Sequence, residues 1–301
     1  MRTAPPVTYL VTESEAGLRL DTFLARRANM GRRGARRLAG NARVNDRRAR
    51  PAHVLAEGDR VLITSSEDTP PDLDVLRRTE QLWVLNKPAG LPTIALAGQA
   101  GDSMAARVAA ADPGFVPPGP SLESGIVHRL DTGTSGVLLA ARADPLWEDL
   151  RRQTREHAWA KTYLCIVEGD LQADTEVQLA IGQHPKSNRR MLGVPAPEKW
   201  QRYSARMASS RVEPIAAADQ HTLVRVHTRT GLRHQVRIHL ASIGHPVIND
   251  PLYGTIQDQS LPGHYLHGES IRWIDPTSGN MATELAPVPD WWPDWAARTL
   301  P

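Results

Sequence analysis

Between Ile126-Val127 and the apolar run Gly136 to Ala141 lies a knot of polar residues, His128 to Ser135, reading H-R-L-D-T-G-T-S. It holds one carboxylate, Asp131, with a histidine, an arginine and three hydroxyls. A lone carboxylate can serve as nucleophile or base when a nearby cation keeps it ionised and aligned. The same residue types also make turns, since Asp, Thr and Ser beside glycine hydrogen-bond their own backbone. Composition alone leaves both readings open. Further on, T-G-L-R-H-Q-V-R-I-H-L sets His234 and Arg237 about one helical turn apart, Arg237 lying off the stripe of Val236, Leu240 and Ile243. Tyr163 sits near the start of the alternating run Lys161 to Gly169, where a tyrosine ordinarily buries its ring and leaves its hydroxyl at an edge. His234, His239 and His245 lack both the H-x-x-x-H spacing and the accompanying cysteines or carboxylates of a zinc site.

These residues need elements to hold them. The apolar runs on either side of the knot are too short for helices, which predicts a rigid loop between buried strands. Leu82 to Lys87 reads as a buried strand ending in a Pro-Ala-Gly turn, with Lys87 either a surface residue or a phosphate contact. Asp144 as N-cap and Pro145 behind it predict a helix to about His157, with Leu146 and Leu150 inward and Arg151, Arg152 and Arg155 outward. Residues 222–228 alternate as a strand, and Arg233 to Ile243 is predicted as a helix stopped by Gly244. Gln183 to Lys199 reads as an exposed basic hairpin or loop whose Lys186, Arg189 and Arg190 either meet phosphates or are merely solvated. Trp291, Trp292 and Trp295 are expected to tuck back as an apolar clasp.

The knot resembles the H-R-L-D-x-x-T-S-G signature of the RluA-type RNA pseudouridine synthases, which isomerise uridine in RNA. Matches to N-K-P-x-G at Asn86, to K-x-Y at Lys161, to T-G-R-x-H-Q-[IL]-R-x-H at Thr230 and to G-H-P-I-x-G-D-x-x-Y-G at Gly244 extend the resemblance over about residues 80–290. It implies Asp131 as the catalytic carboxylate, Arg237 as its partner, and Tyr163 as the residue that stacks on the base and takes a proton from it. Arg129 would fill the gap left by a flipped base. His128, Lys87, Lys186, Arg189, Arg190, Arg233 and His234 would contact RNA. Leu232 stands where the family generally has a basic residue, with Arg233 displaced by one, and Asn249 replaces a glycine in a place that suits a left-handed backbone. The implied fold is α+β, a long mixed, mainly antiparallel bent sheet with a central cleft. The chemistry has no redox step and no group transfer, so no cofactor is expected.

Ahead of this region, L-x-L-D-x-F-L, an arginine-rich stretch with Arg32, Arg33 and Arg36, then V-N and G-D-R-V resemble a small RNA-binding module named after a ribosomal protein. The polar, proline-containing stretch Ser65 to Asp74 marks a linker. The expected organisation is 1–66 for the small domain, 67–78 for the linker and 79–301 for the catalytic domain. A net charge of +3, a pI near 9.2 and positive charge that is nearly all arginine suit a polyanionic partner. One cysteine, Cys165, excludes an internal disulfide framework. The apolar runs fall short of the ~20 residues that span a bilayer, so a cytoplasmic location is expected; the resemblance implies ribosomal or transfer RNA as the substrate, and a monomer is expected. A glycosidase would need two converging carboxylates, and a non-catalytic RNA-binding protein would not need Asp131, Tyr163 and Arg237 together.

Overall fold

Runs rich in Val, Ile and Leu form two separate sheets in the computed structural model, which describes residues 7–27, 35, 39, 42–45, 47–63, 73–95, 102–112, 116–120, 123–255 and 257–300. By contacts the chain divides into two units, 1–73 with 105–125, and 74–104 with 126–301. Arg32, Arg33 and Arg36 lie outside the described residues, as do residues 64–66 at the end of the expected small domain and 67–72 of the expected linker.

In the first unit β1 (Val7–Leu10), β4 (Arg60–Ile63), β2 (Ala42–Val44) and β3 (Arg47–Arg48) form a sheet in that spatial order, every pair antiparallel. The helix α1 (Leu20–Arg27) buries Leu20, Phe23 and Leu24, an i, i+3, i+4 stripe, against Val11, Val44, Leu55 and Val61. Each such side chain contributes about 1.5–3 kcal/mol on leaving water.

The second unit is built on a ten-stranded sheet. Its strands are β5 (Val75–Arg78), β6 (Leu82–Lys87), β7 (Ser135–Ala141), β8 (Ala160–Glu168), β9 (Thr175–Gln183), β10 (Met191–Val194), β11 (Arg206–Ala218), β12 (His221–Thr228), β13 (Leu266–Ile274) and β14 (Met281–Leu285). The spatial order is β10-β9-β11-β12-β8-β13-β7-β6-β5, with β14 added to β13. Among the described strands only β13 and β7 run parallel, so the sheet is mixed and mainly antiparallel, as the resemblance implied. At that parallel pair the backbones touch: Gly136 has φ +121°, and a Cβ there would lie 2.3 Å from the Gly268 carbonyl oxygen. No side chain fits. The helices α2 (Asp144–Arg155), α3 (Gln235–Ser242) and α4 (Asp294–Thr299) belong to the same unit.

Several expectations shift by a few residues. Residues 75–78 are an edge strand paired with β6 rather than linker, because Val75 and Leu76 are partly buried. Asp144 is the first helical residue and Ala143 the cap, the carboxylate lying in the first turn where it favours the helix dipole. The third helix begins at Gln235 because His234 takes a left-handed conformation, φ +59°. Asn249 is left-handed as expected, φ +62°. Trp292 is buried and Trp291 and Trp295 pack beside it on Leu164, Ile166 and Leu223, forming the expected clasp. No helix among the described residues is long and apolar enough to cross a membrane.

Candidate active site

The polar knot is a rigid loop. Ile126 bridges Ala140 and Val127 donates to the Leu139 carbonyl, so the chain lies along β7 before doubling back into it. His128 is buried and its Nε2 accepts the Leu139 N–H at 3.1 Å, while its ring meets Trp159 edge-on. Burial holds that ring neutral, with the nearby Lys161 charge acting in the same direction. Thr93 Oγ1 donates to the Leu130 carbonyl at 2.7 Å and accepts the Leu130 N–H at 3.1 Å. Thr134 shares a hydrogen bond with His264 and Ser135 one with His267, both at 2.9 Å. Lys87 reaches the loop from the end of β6: its Nζ donates to the carbonyls of Leu91 at 2.6 Å, Pro88 at 2.8 Å and Thr132 at 3.2 Å.

Two sequence expectations are corrected by these contacts. Lys87 is wholly buried, and desolvation lowers its pKa to about 7, so its ammonium is a tie between β6 and the loop, out of reach of phosphate. His128 is likewise an internal bracket. Of the seven residues His128 to Thr134, only Arg129 and Thr132 are exposed, and Arg129 lines the cleft.

Asp131 projects from this loop into a cleft open to solvent and lined also by Lys161, Tyr163, Thr230, His234 and Arg237. Its Oδ2 accepts from Arg237 Nη1 at 2.8 Å, and His234 Nε2 stands 3.8 Å away. Burial pushes the carboxyl upward, but His234, when it is protonated, and the charge and hydrogen bond of Arg237 outweigh it and the net displacement is below the ordinary Asp value. Burial also depresses His234 to about 4. At neutral pH that ring is therefore uncharged, and Arg237 is the cation that keeps Asp131 ionised.

Arg237 is shared. Its Nε and Nη2 each donate at 2.7 Å to Asp250, whose carboxylate is fully buried and accepts further N–H groups from Leu252 and Tyr253. Burial opposes the charge of Arg237, but the bonds to Asp250 and the charge of Asp131 keep it fully ionised. The fork thus has one side fixed in the protein and one side offered to the cleft. Asp250, Tyr253 and His264 carried no role in the sequence reading. Asp250 and Tyr253 stand in the G-H-P stretch already matched, and only the fold brings them under Arg237: Tyr253 hydroxyl meets His234 Nδ1 at 2.9 Å, and its ring lies 5.2 Å from the guanidinium.

Tyr163 lies on the cleft face of β8, paired with Val226 of β12. Burial, with the Asp131 charge beside it, raises its hydroxyl well above the usual phenol range, so it is a neutral phenol at pH 7. Gln235 fixes the turn before α3: its Oε1 accepts from Thr230 and the Leu232 N–H, and its Nε2 donates to Thr228 and Ser209. Leu232 packs against Ile181, Ala208 and Ile238. The neighbouring Arg233 is exposed and donates to the Asn188 and Arg189 carbonyls at 2.9 and 3.1 Å. It thereby braces the β9–β10 hairpin, on which Lys186, Arg189 and Arg190 are exposed.

The structure therefore brings Asp131, Tyr163, His234 and Arg237 into one cleft with Arg129 at its mouth, and sets the hairpin cations outside it. The sequence pattern of the RNA pseudouridylate synthase family matches residues 81–242. An RNA pseudouridine synthase of Synechocystis sp. is 31% identical over 294 residues, covering 93% of this chain and 88% of that protein. The ribosomal large subunit pseudouridine synthase D of Xanthomonas campestris is 28% identical over 306 residues, with 93% and 88% covered. The solved structure of human RNA pseudouridylate synthase domain containing 1 shares the fold, with a TM-score of 0.60, 20% identity, and 78% of this chain and 90% of that one covered. Motifs, sheet and relatives agree, and the chain belongs to the RNA pseudouridylate synthase family, whose members are isomerases.

Proposed function

We propose that this chain converts specific uridines of ribosomal or transfer RNA to pseudouridine with Asp131 as the catalytic carboxylate. The observation that carries the reading is a single ionised carboxylate at the cleft surface, held by Arg237, whose other two N–H groups are committed to buried Asp250. A uridine turned out of its stack at a cost of a few kcal/mol would enter the cleft. Asp131 then either adds to ribose C1′ or removes the C2′ proton. In both cases the C1′–N1 bond breaks and its electron pair leaves with the uracil. The base turns and C5 bonds to C1′, which releases the carboxylate or, on the second route, returns the proton to C2′. Loss of the C5 proton and uptake of one proton at N1 restore the ring, so that the base is isomerised with no net gain or loss of a proton. Tyr163 is the residue that meets the base and takes this proton. Being a neutral phenol, it does so only as its own proton passes on, and the freed Asp131 carboxylate is the acceptor this reading assigns.

Arg129 fills the space left by the extruded base, His234 and Arg233 border the strand, and Lys186, Arg189 and Arg190 meet phosphates. The N-terminal residues 1–66, with Arg32, Arg33 and Arg36, add sequence-independent affinity. The protein acts in the cytoplasm as a monomer and without a cofactor. Relatives named for the large ribosomal subunit favour ribosomal RNA among the two substrate classes. Mapping pseudouridines in total RNA from cells with and without the gene tests the assignment: one or more sites vanish with the gene, whereas an unchanged map overturns it.

A further inference from the structure

Lys161 is a buried ammonium that the reaction as described leaves unused. It stands two residues before Tyr163 on β8, so strand alternation puts both side chains on the cleft face, and both line the cleft. Only 7% of the residue is exposed. Among the described residues no carboxylate pairs with it and no hydrogen-bond acceptor engages its Nζ. Its surroundings are the Trp159 ring, 5.7 Å from Nζ, and the turn at Gly231, where a Cβ would come within 2.7 Å of Nζ. Burial alone governs its titration and lowers its pKa to about 8. It is therefore a cation at neutral pH, held apart from the Asp131–Arg237–Asp250 cluster.

An unpaired buried charge is costly, and such groups persist where a ligand supplies the missing partner. Two parts of a nucleotide could do so, a phosphate or the base. Phosphates stay hydrated and at the mouth, where exposed Arg129 already stands. A flipped nucleotide enters base first, so the wall of the cleft around Tyr163 meets the uracil. An ammonium only donates, and the acceptors on uracil are its O2 and O4 carbonyls.

We infer that Lys161 is the group that receives the departing base, donating to a uracil carbonyl oxygen and stabilising the anion formed when C1′–N1 breaks. The electron pair of that bond goes to N1 and spreads onto O2 and O4, while Asp131 or the C1′–C2′ bond takes up the valence at C1′. The carbonyl bears little charge before cleavage and most of it afterwards, so the contact strengthens toward the transition state. This rests on the cleft being the uridine site proposed above.

The test replaces Lys161 with methionine and compares single-turnover rates on two RNAs, one with uridine and one with 5-fluorouridine at the target. Consumption of either nucleoside is read by mass spectrometry. Fluorine stabilises the departing anion by itself, so it should offset the missing ammonium. Expected for Lys161→Met is a loss of about 10²–10³-fold on uridine, the size found on removing one charge-stabilising donor, a loss at least tenfold smaller on 5-fluorouridine, and RNA affinity within a few-fold of wild type. Equal losses on the two RNAs overturn the inference, as does a fall in affinity that accounts for the rate, which would make Lys161 a phosphate contact. If the methionine variant does not fold, Gly231→Ala carries the test. Its new methyl meets only the lysine Nζ, so it displaces the ammonium and leaves the backbone in place. The same discrimination is expected at smaller amplitude, and wild-type rates on both RNAs overturn the inference. Wild-type protein that rearranges neither RNA refutes the uridine-site reading itself, a result distinct from any of these.

Discussion

Replacing Asp250 with asparagine removes the buried half of the support under Arg237. Both Arg237 and Asp250 are almost fully withdrawn from water, with side chains 4% and 0% exposed, and two charge-assisted bonds of 2.7 Å join them. Removing one partner of such a pair typically costs about 3–5 kcal/mol, because the charge left behind stays buried. Asparagine keeps one acceptor oxygen, so the lower end, about 3 kcal/mol, is expected. Asp131→Asn removes the other carboxylate, but that side chain is 22% exposed and Arg237 keeps its two-bond partner, so under about 1 kcal/mol is expected. All eight tryptophans lie in the unit formed by 74–104 and 126–301, and their fluorescence reports the unfolding of this unit alone. At a slope of about 3 kcal/mol per molar urea, Asp250→Asn should lower the midpoint by roughly 1 M and Asp131→Asn by under about 0.3 M. The acid limb gives a second reading. The folded-state pKa of Asp250 is lowered: burial opposes this, and the Arg237 bonds prevail. Its contribution is complete above the ordinary value of about 3.9 and is lost as pH falls through the lower folded value. Wild-type stability should therefore drop more steeply below pH 4 than that of Asp250→Asn. Equal midpoint shifts for the two variants would refute the reasoning that Arg237 is anchored on Asp250 and offered to Asp131.

Two further outcomes follow from the same geometry. Tyr163→Phe keeps the ring and removes the hydroxyl, so it should stop tritium release from 5-tritiated uridine in RNA while leaving RNA affinity within a few-fold; release at the wild-type rate would remove Tyr163 from the proton transfer. Six phosphate contacts would give a slope of log affinity on log salt of roughly −4 on single-stranded RNA. Replacing Lys186, Arg189 and Arg190 together by alanine should reduce that slope by about 2, at about 0.7 per contact, and an unchanged slope would mean that the hairpin cations are simply solvated.

Much of the site was legible because its parts sit in contiguous motifs. Asp131, Tyr163 and Arg237 were read from three separate stretches and lie in one cleft, and the mainly antiparallel mixed sheet was implied by the family resemblance, the short apolar runs being merely compatible with it. What the sequence hid is where a polar side chain finds its partner. Lys87 and His128 read as surface groups, yet each turns inward to satisfy backbone groups of the loop, Lys87 to carbonyls of residues 88, 91 and 132 and His128 to the N–H of Leu139. Asp250 carried no role in the sequence reading, since its bond to Arg237 links a loop to a helix 13 positions earlier with no periodicity to betray it. Lys161 was read as the start of a strand and of the K-x-Y match and given no role, because an unpaired charge becomes visible once burial is known. Val75 to Arg78 was too short to show alternation, and its pairing with β6 alone makes it a strand.

The central claim is that Asp131 carries the chemistry. Asp131→Asn preserves size and part of the hydrogen bonding, and removes the charge and the nucleophile, an interaction needed only in the transition state. Tritium release from 5-tritiated uridine in target RNA, measured beside RNA affinity, tests it most directly. The account predicts that release is abolished while affinity stays within a few-fold of wild type. Release near the wild-type rate would contradict it and leave the cleft as an RNA-binding surface without catalysis.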